Sequence, residues 1–158
     1  MVAETLTATR AASTFPVFKA VGAGLMCAAY GTYEIGAAVE DGDIFAMCKI
    51  PAGAVIVGGW FLGDDIDTGT EALDMDLGWA DNGADGADPD GLGNFGVLTG
   101  DTFAAGNLAF AAAGLAYPIM PVNLPAFTKE TTIQVEANVA SNGGHTGTIT
   151  VIVYYVTP

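Results

Sequence analysis

Short apolar segments recur along most of the chain, and residues that favour turns separate them. Residues 26–35, 44–50 and 54–62 are rich in apolar, aromatic and β-branched residues, and Gly, Asp and Pro occupy the connections between them. The pattern predicts three consecutive strands with short connections.

Two later segments alternate strictly between apolar and polar residues. In residues 73–79 the period of two places Leu73, Met75, Leu77 and Trp79 on one face and Asp74 and Asp76 on the other. Residues 131–139 alternate in the same way, with Ile133, Val135, Ala137 and Val139 opposite Thr132, Gln134, Glu136 and Asn138. Each segment is typical of a half-buried antiparallel strand.

The last segment, residues 146–156, is apolar on both sides. One side carries Ile149, Val151, Val153 and Tyr155, and the other carries Ile152, Tyr154 and Val156. We therefore expect this strand to be covered on both faces, by the protein's own sheet and by a neighbour. The Asn142–Gly143 pair before it is a strong hairpin signal, which predicts that the last two strands pair.

Taken together, the strands predict an all-β fold, an antiparallel β-sandwich of jelly-roll or Greek-key type. No convincing crossover helix separates them, which argues against a parallel sheet. Residues 96–124 fit neither period, so they are compatible with a short helix or two small strands. Residues 1–21 show no periodicity and are interpreted as an extended N-terminal arm, leaving residues 22–158 as the β-sandwich domain.

Composition narrows the classes of function. The chain has 158 residues, of which 51% are hydrophobic and only 14% charged, and it contains 22 glycines. This is enough chain for one domain with its own core. The net charge of −14 argues against a nucleic-acid partner, because phosphate binding requires Lys and Arg. The charge-free residues 102–128 contain three prolines and two asparagines, which argues against a membrane partner. The N-terminus lacks a secretory-signal pattern.

The acidic loop in "ADNGADGADPDG" is the best candidate for a metal site. Its weak candidates are Asp81, Asp85, Asp88 and Asp90, because calcium prefers several oxygen ligands from a flexible segment. The EF-hand spacing fails, however, since Leu92 stands where a bidentate Glu belongs. Asp, Gly, Asn and Pro are also the residues that form turns, which explains the composition without a ligand. A plain surface loop without a cofactor is therefore favoured, and a calcium site is the alternative. Asp64, Asp65 and Asp67 receive the same interpretation.

Nothing in the sequence supports catalysis. His145 is the only histidine and lies beside a turn, with no Ser or Cys nucleophile motif. Trp60 and Trp79 sit in apolar registers, which favours the core over a sugar-stacking role. Cys27 and Cys48 have no metal-site spacing and are expected to be free thiols, although neighbouring strands would allow a bridge.

Three stretches resemble a broad group of small virion proteins of tailed bacteriophages, the decoration, cement or minor capsid proteins. They are "IPAGAVIVGGWFLGDDID", "LDMDLGWADNGADGADPDGLGNF" and "KETTIQVEANVASNGGHTGTITVIVYYV". The shared patterns fall at residues 50–55, 73–78, 88–91 and 148–156. The resemblance implies a β-sandwich subunit, often oligomeric, that attaches to a capsid lattice and has no active site.

From this resemblance we expect a non-enzymatic protein that decorates and stabilises the outside of a capsid and is made in the host cytoplasm. Its expected partners are the major capsid protein and further copies of itself, as a homotrimer. The expected assembly residues are Phe15, Val17 and Phe18 in the arm and Ile152 and Tyr154 in the last strand. Deleting residues 1–19 should then weaken assembly and leave the sandwich folded with a nearly unchanged melting temperature.

Two other classes of function stay open. One is a β-sandwich binding module that holds a glycan or calcium at a virion or cell surface. The other is a jelly-roll major capsid protein, against which the acidic charge and the absence of a basic arm speak.

Overall fold

The computed structural model describes residues 4–8, 11–14, 25–64, 66–67, 72–95, 115–121, 123–143 and 146–157. Every regular element longer than a single turn in these ranges is a β-strand, which confirms the predicted all-β class. The strands are β1 (Thr5–Thr7), β2 (Met26–Ile35), β3 (Ile44–Ile50), β4 (Val55–Gly63), β5 (Asp74–Trp79), β6 (Asp88–Phe95), β7 (Leu115–Ile119), β8 (Thr131–Val139) and β9 (Gly147–Val156).

The strands form two sheets that pack as a sandwich. Sheet A has the order β1-β3-β8-β5-β6, and sheet B has the order β2-β9-β4-β7. Only the β1–β3 pair is parallel among the described pairings. The consecutive strands β2, β3 and β4 alternate between the sheets, as in a jelly roll.

The core lies between the sheets and is joined by aromatic contacts. Phe95 of sheet A packs against two aromatic rings of sheet B, with ring centroids 5.2 Å from Phe61 and 5.5 Å from Tyr117. At Gly31 the two backbones approach so closely that a Cβ atom would lie 1.9 Å from the Met47 carbonyl oxygen. Glycine is therefore required where β2 crosses β3.

Strand β5 differs from the half-buried strand that its alternation predicts. Both polar residues are buried, with Asp74 1% and Asp76 8% exposed. The reason is position: β5 lies between β6 and β8 in sheet A, and Asn138 Nδ2 of β8 donates a hydrogen bond to Asp76 Oδ2. The alternation correctly predicted that Met75 and Leu77 point into the core. It does not show whether the opposite face of the strand is covered as well.

Strand β6 begins inside the segment that the sequence predicted to be loop. Asp88 pairs with Trp79, and the strand continues to Phe95 at the edge of sheet A. An edge position tolerates Pro89, which has no N–H to donate. The loop itself is thus limited to residues 80–87. Of the ambiguous residues 96–124, the structure gives one strand, β7, while residues 96–114 lie outside the described ranges.

The predicted hairpin between the last two strands is wrong. β8 pairs with β3 and β5 in sheet A, whereas β9 pairs with β2 and β4 in sheet B. The Asn142–Gly143 pair lies in a crossover between the sheets. A turn-forming dipeptide marks a change of direction, and the buried apolar side of each strand decides the sheet to which it belongs.

The N-terminal segment is more regular than its sequence predicts. Thr5–Thr7 form β1 at the edge of sheet A, and Ala8 N donates a 2.8 Å hydrogen bond to Ala46 O. Ala8 and Ala11 are buried. The sequence shows no sign of this strand, because three residues are too few to show a period. The effect of deleting residues 1–19 on the melting temperature stays a prediction. The boundary between arm and domain stays a prediction.

Candidate functional site

The outer face of sheet B carries an apolar row that crosses all four strands. Cross-strand pairing aligns Tyr30 of β2 with Ile152 of β9, Ile152 with Trp60 of β4, and Trp60 with Pro118 of β7. Tyr30 is 46% and Trp60 40% exposed, although both are large aromatic residues. Adjacent strands are about 4.8 Å apart, so the row is about 15 Å wide.

A second line of apolar residues lies beside this row, towards the start of β2. Tyr154 pairs with Ala28 on one side and Gly58 on the other, and Val156 pairs with Met26, which is 68% exposed. In the opposite direction the face becomes polar, with Thr32 and Thr150 joined by a 2.9 Å hydrogen bond. We call the apolar part the B face: Met26, Ala28, Tyr30, Gly58, Trp60, Pro118, Ile152, Tyr154 and Val156.

The outer side of sheet A has the opposite character. β8 contributes Thr132, Gln134, Glu136 and Asn138 to it, and Asp76 and Asn94 pair beside them. Burial and the neighbouring Asp76 carboxylate raise the pKa of Glu136 above 4.5. The sandwich is therefore two-sided, with a polar, acidic side on sheet A and an apolar side on sheet B.

The B face contains two of the five predicted assembly residues. Ile152 and Tyr154 both lie on it and are half-buried in the single chain. Phe15, Val17 and Phe18 lie outside the described residues. Whether a neighbour covers the B face stays a prediction.

Trp60 was assigned to the core by sequence and instead lies on the surface. A β-bulge between Ile56 and Gly58 shifts the register of β4 against β9, which places Phe61 inside and Trp60 outside. The Gly58–Gly59 pair is the sequence signal for this irregularity. Trp79, by contrast, is half-buried against the core, with its ring centroid 5.1 Å from that of Phe127.

The acidic loop is a structural clamp in which Asp85 is central. Asp85 Oδ2 accepts hydrogen bonds from Asn82 Nδ2 at 2.8 Å and from Thr128 N at 2.8 Å, and the Thr128 hydroxyl adds a third. The Asn82 bond, followed by the Thr128 backbone bond, lowers the pKa of Asp85 below 3.8. The loop is thereby tied to the segment that precedes β8.

The other three candidate metal ligands, Asp81, Asp88 and Asp90, do not converge with Asp85 on one point. Asp81 accepts a hydrogen bond from the Gly83 N–H, two residues further on. Asp88 lies at the start of β6, where burial, a hydrogen bond with Asp90 and the charge of Asp90 raise its pKa above 3.8. Among the described residues, no three His, Cys, Asp or Glu side chains are placed to hold a metal ion.

Asp67 was interpreted as part of a solvated strand end, and this is wrong. It is fully buried, and its carboxylate accepts backbone hydrogen bonds from two separate segments of the chain. The sequence signal is weak, because Asp65 and Asp67 have the same local composition.

The remaining groups with chemical potential do not form a site in the described part of the chain. Cys27 is half-buried and Cys48 buried, and neither forms a disulfide. His145 lies outside the described residues. Where the structure describes the chain, it contains no helix long and apolar enough to cross a membrane.

Comparison with solved structures shows that this fold occurs in phage capsids. The chain aligns with a chain in the capsid of Ralstonia phage GP4 at a TM-score of 0.73 and 20% identity, covering 98% of this chain and 99% of that one. It aligns with a chain of the Cyanophage Pam1 capsid asymmetric unit at a TM-score of 0.64 and 21% identity, covering 93% and 97%.

A third similar chain belongs to the acidic stable capsid structure of Helicobacter pylori bacteriophage KHP30, with a TM-score of 0.56, 11% identity and coverage of 87% and 92%. No protein-family profile matches the sequence, and no curated protein is detectably similar to it. At these identities the likeness establishes the fold.

Proposed function

We propose that the protein is a non-enzymatic structural component of a bacteriophage virion, which decorates the outside of the capsid and stabilises it. The observation that carries the proposal is the extent of the fold likeness: nearly the whole of this chain aligns with nearly the whole of chains from phage capsids.

The B face supports this function as the attachment surface. Exposed apolar patches on soluble proteins mark contacts with other proteins, and aromatic residues supply much of the binding free energy at such contacts. Tyr30 and Trp60 are anchors of this kind, aligned on either side of Ile152. The proposed partners are the major capsid protein and sister subunits, in a homotrimer.

The acidic side of sheet A favours decoration over a role as the shell itself. A chain of net charge −14 is poorly suited to line the genome, because like charges repel across a contact with phosphate. On the outside of a particle, the same charge keeps densely repeated subunits soluble.

Binding of the purified protein to heads tests the proposal. Heads from the phage that carries this sequence, prepared without the protein, are mixed with it and pelleted, and the bound fraction is measured. We expect saturable binding by the native chain. Trp60→Asp should weaken binding by roughly thirtyfold or more, because a loss of about 2 kcal/mol is typical of a buried aromatic anchor.

The matched control is Thr132→Asp, which adds the same charge to the outer side of sheet A, beside Lys49. It should bind as the native chain does. If native protein does not bind heads, decoration is excluded. If it forms closed shells alone, it is a major capsid protein, and if it binds a glycan array instead, it is a binding module.

A further inference from the structure

Asparagine is followed by glycine at two places in the chain, Asn82–Gly83 and Asn142–Gly143. This dipeptide is the one most prone to spontaneous deamidation, because glycine has no side chain to hinder its own backbone nitrogen when that nitrogen attacks the asparagine amide. The structure treats the two pairs differently.

The reaction needs only water. The glycine nitrogen loses its proton and forms a bond to Cγ of the asparagine side chain. The Cγ–Nδ2 bond breaks, and the nitrogen leaves as ammonia with the proton that the glycine nitrogen gave up. Water then opens the resulting succinimide ring at one of its two carbonyl carbons. The product is aspartate, or isoaspartate, in which the main chain runs through Cβ and Cγ.

At Asn82 the fold holds the side-chain amide itself. Asn82 Nδ2 donates to Asp85 Oδ2 at 2.8 Å and to Thr131 Oγ1 at 2.7 Å. Asn82 Oδ1 accepts the N–H groups of Ala84 at 2.9 Å and of Asp85 at 2.7 Å. These four bonds use both donors and both lone pairs of the amide. The amide cannot turn towards Gly83 without breaking some of them.

At Asn142 the fold holds the attacking nitrogen. The Gly143 N–H donates to Asp67 Oδ1 at 3.1 Å, and the Asn142 N–H donates to the same oxygen at 2.8 Å. Asp67 is fully buried, and the N–H groups of Ala72 and Leu73 hold its other oxygen. The carboxylate therefore stays in place when the glycine nitrogen moves.

A carboxylate in this position opposes the first step of the reaction in two ways. The hydrogen bond must break before the Gly143 nitrogen can turn towards Cγ of Asn142. Loss of the Gly143 proton would also place negative charge beside the negative charge of Asp67, and like charges at this distance repel. Asn142 is exposed, so exclusion of water does not protect it.

We propose that Asn142–Gly143 is a site of spontaneous deamidation and that the Asp67 carboxylate restrains the reaction in the folded chain. The product would carry a net charge of −15, one unit beyond −14. In isoaspartate the extra main-chain carbon lies between the two nitrogens that Asp67 Oδ1 binds. The two hydrogen bonds then cannot re-form as before, so the modification also loosens the crossover between β8 and β9.

The native chain provides the first test. Full-length protein and a synthetic peptide of residues 138–147 are incubated at neutral pH, and mass spectrometry follows the gain of about one dalton when water replaces ammonia. Asn142 should react about tenfold to hundredfold more slowly in the folded chain, because a hydrogen bond to a charged group must first open. Hydrogen exchange at the Gly143 N–H should be slowed by a similar factor, since the same opening exposes it.

Two variants show which side chain restrains which pair. Asp67→Ala should speed deamidation at Asn142 about tenfold and leave Asn82 unchanged. Asp85→Ala removes one acceptor of the Asn82 amide, so it should speed the reaction at Asn82 and leave Asn142 unchanged. General unfolding would speed both pairs in either variant, so each pair is the control for the other.

An Asn142 that reacts as fast in the native chain as in the peptide would overturn the proposal. So would a retardation far larger than the protection of the Gly143 N–H, and this comparison decides the matter if Asp67→Ala does not fold. An unchanged or slower reaction at Asn142 in folded Asp67→Ala would also overturn it, as would equal acceleration of both pairs. None of these results bears on binding to heads, so failure here leaves the proposed function standing.

Discussion

Asp67 Oδ1 accepts a 2.8 Å hydrogen bond from the backbone N–H of Asn142, joining the connection that leads to β5 to the crossover between β8 and β9. The Gly143 N–H bonds to the same oxygen at 3.1 Å, and the N–H groups of Ala72 and Leu73 bond to Oδ2 at 2.7 Å. One buried carboxylate thus satisfies four backbone donors on two segments that are remote in sequence.

This arrangement makes stability depend on pH in a defined direction. Burial disfavours the charged form, but the four backbone hydrogen bonds outweigh it and lower the pKa of Asp67 below 3.8. The stabilisation is therefore complete above about pH 4 and is lost as the pH falls through the pKa of the folded state.

We expect Asp67→Asn to lower the free energy of unfolding at pH 7 by about 2–4 kcal/mol, because an amide NH₂ then faces backbone donors. The difference from the native chain should shrink as the pH falls below 4. Urea titrations at pH 7, 4 and 3 measure it. An unchanged free energy of unfolding at pH 7 would show that the four backbone hydrogen bonds to Asp67 contribute no stability.

The pair formed by Glu136 and Asp76 predicts the opposite pH dependence. The raised pKa of Glu136 means that ionising it costs stability as the pH rises above 4.5. Glu136→Gln should raise the free energy of unfolding at pH 7 and leave it unchanged below pH 4. Gln134→Glu adds a carboxylate on the same face and should lower it. Thermal melts of both variants and the native chain at pH 7 and pH 3.5 measure these changes. A Glu136→Gln variant that is no more stable than the native chain at pH 7 would contradict the prediction.

The crossing of β2 over β3 at Gly31 predicts a severe packing defect. In Gly31→Ala the new Cβ would lie 1.9 Å from the Met47 carbonyl oxygen, and the three nearest atoms all belong to the Met47 backbone. We expect a loss of about 4 kcal/mol or an insoluble protein. Gly36→Ala is the control, because nothing lies within 4 Å of its Cβ position. Equal melting temperatures for the two variants would show that the sheets can separate.

The clamp role of Asp85 predicts that calcium has no effect on the protein. Millimolar calcium or a chelator should leave the melting temperature unchanged, because Asp85 is already bonded to Asn82 and Thr128. Asp85→Ala should lower the melting temperature slightly by freeing the loop, whereas Asp90→Ala should not. A calcium-dependent rise would instead support a binding module.

The two thiols should differ in reactivity and stay unbridged. Cys27 is half-buried and Cys48 is 1% exposed, so we expect native alkylation at Cys27 and modification of Cys48 only after unfolding. Mass spectrometry of unreduced, alkylated protein measures both. A deficit of two protons would reveal a disulfide and contradict the prediction.

Local sequence patterns predicted most of the strands but not which strands pair with each other. The bounds of β2, β3 and β8 agree with the sequence, because each combines an apolar pattern with turn residues at both ends. β6 was missed because Asp88, Pro89 and its glycines favour turns, and only pairing with β5 makes it a strand. The β8–β9 hairpin was wrong because sheet membership depends on residues that are distant in the chain.

The candidate site was predictable only in part, for the same reason. The doubly apolar pattern of β9 identified Ile152 and Tyr154. The residues aligned with them, Tyr30 and Trp60, become neighbours only through pairing across β2, β9 and β4. Periodicity within one strand carries no information about which residue of another strand stands beside it.

The contrast between the two sides of the sandwich limits how many layers of this protein can build up on a particle. Where the B face is the attachment surface, a seated copy presents the mostly polar outer side of sheet A to its surroundings. An arriving copy meets mostly polar groups there instead of an apolar row that could receive its Trp60 and Tyr30, and it meets charge of its own sign. Accretion then ends at a single layer, and the thickness of the coat is fixed by the thickness of one sandwich.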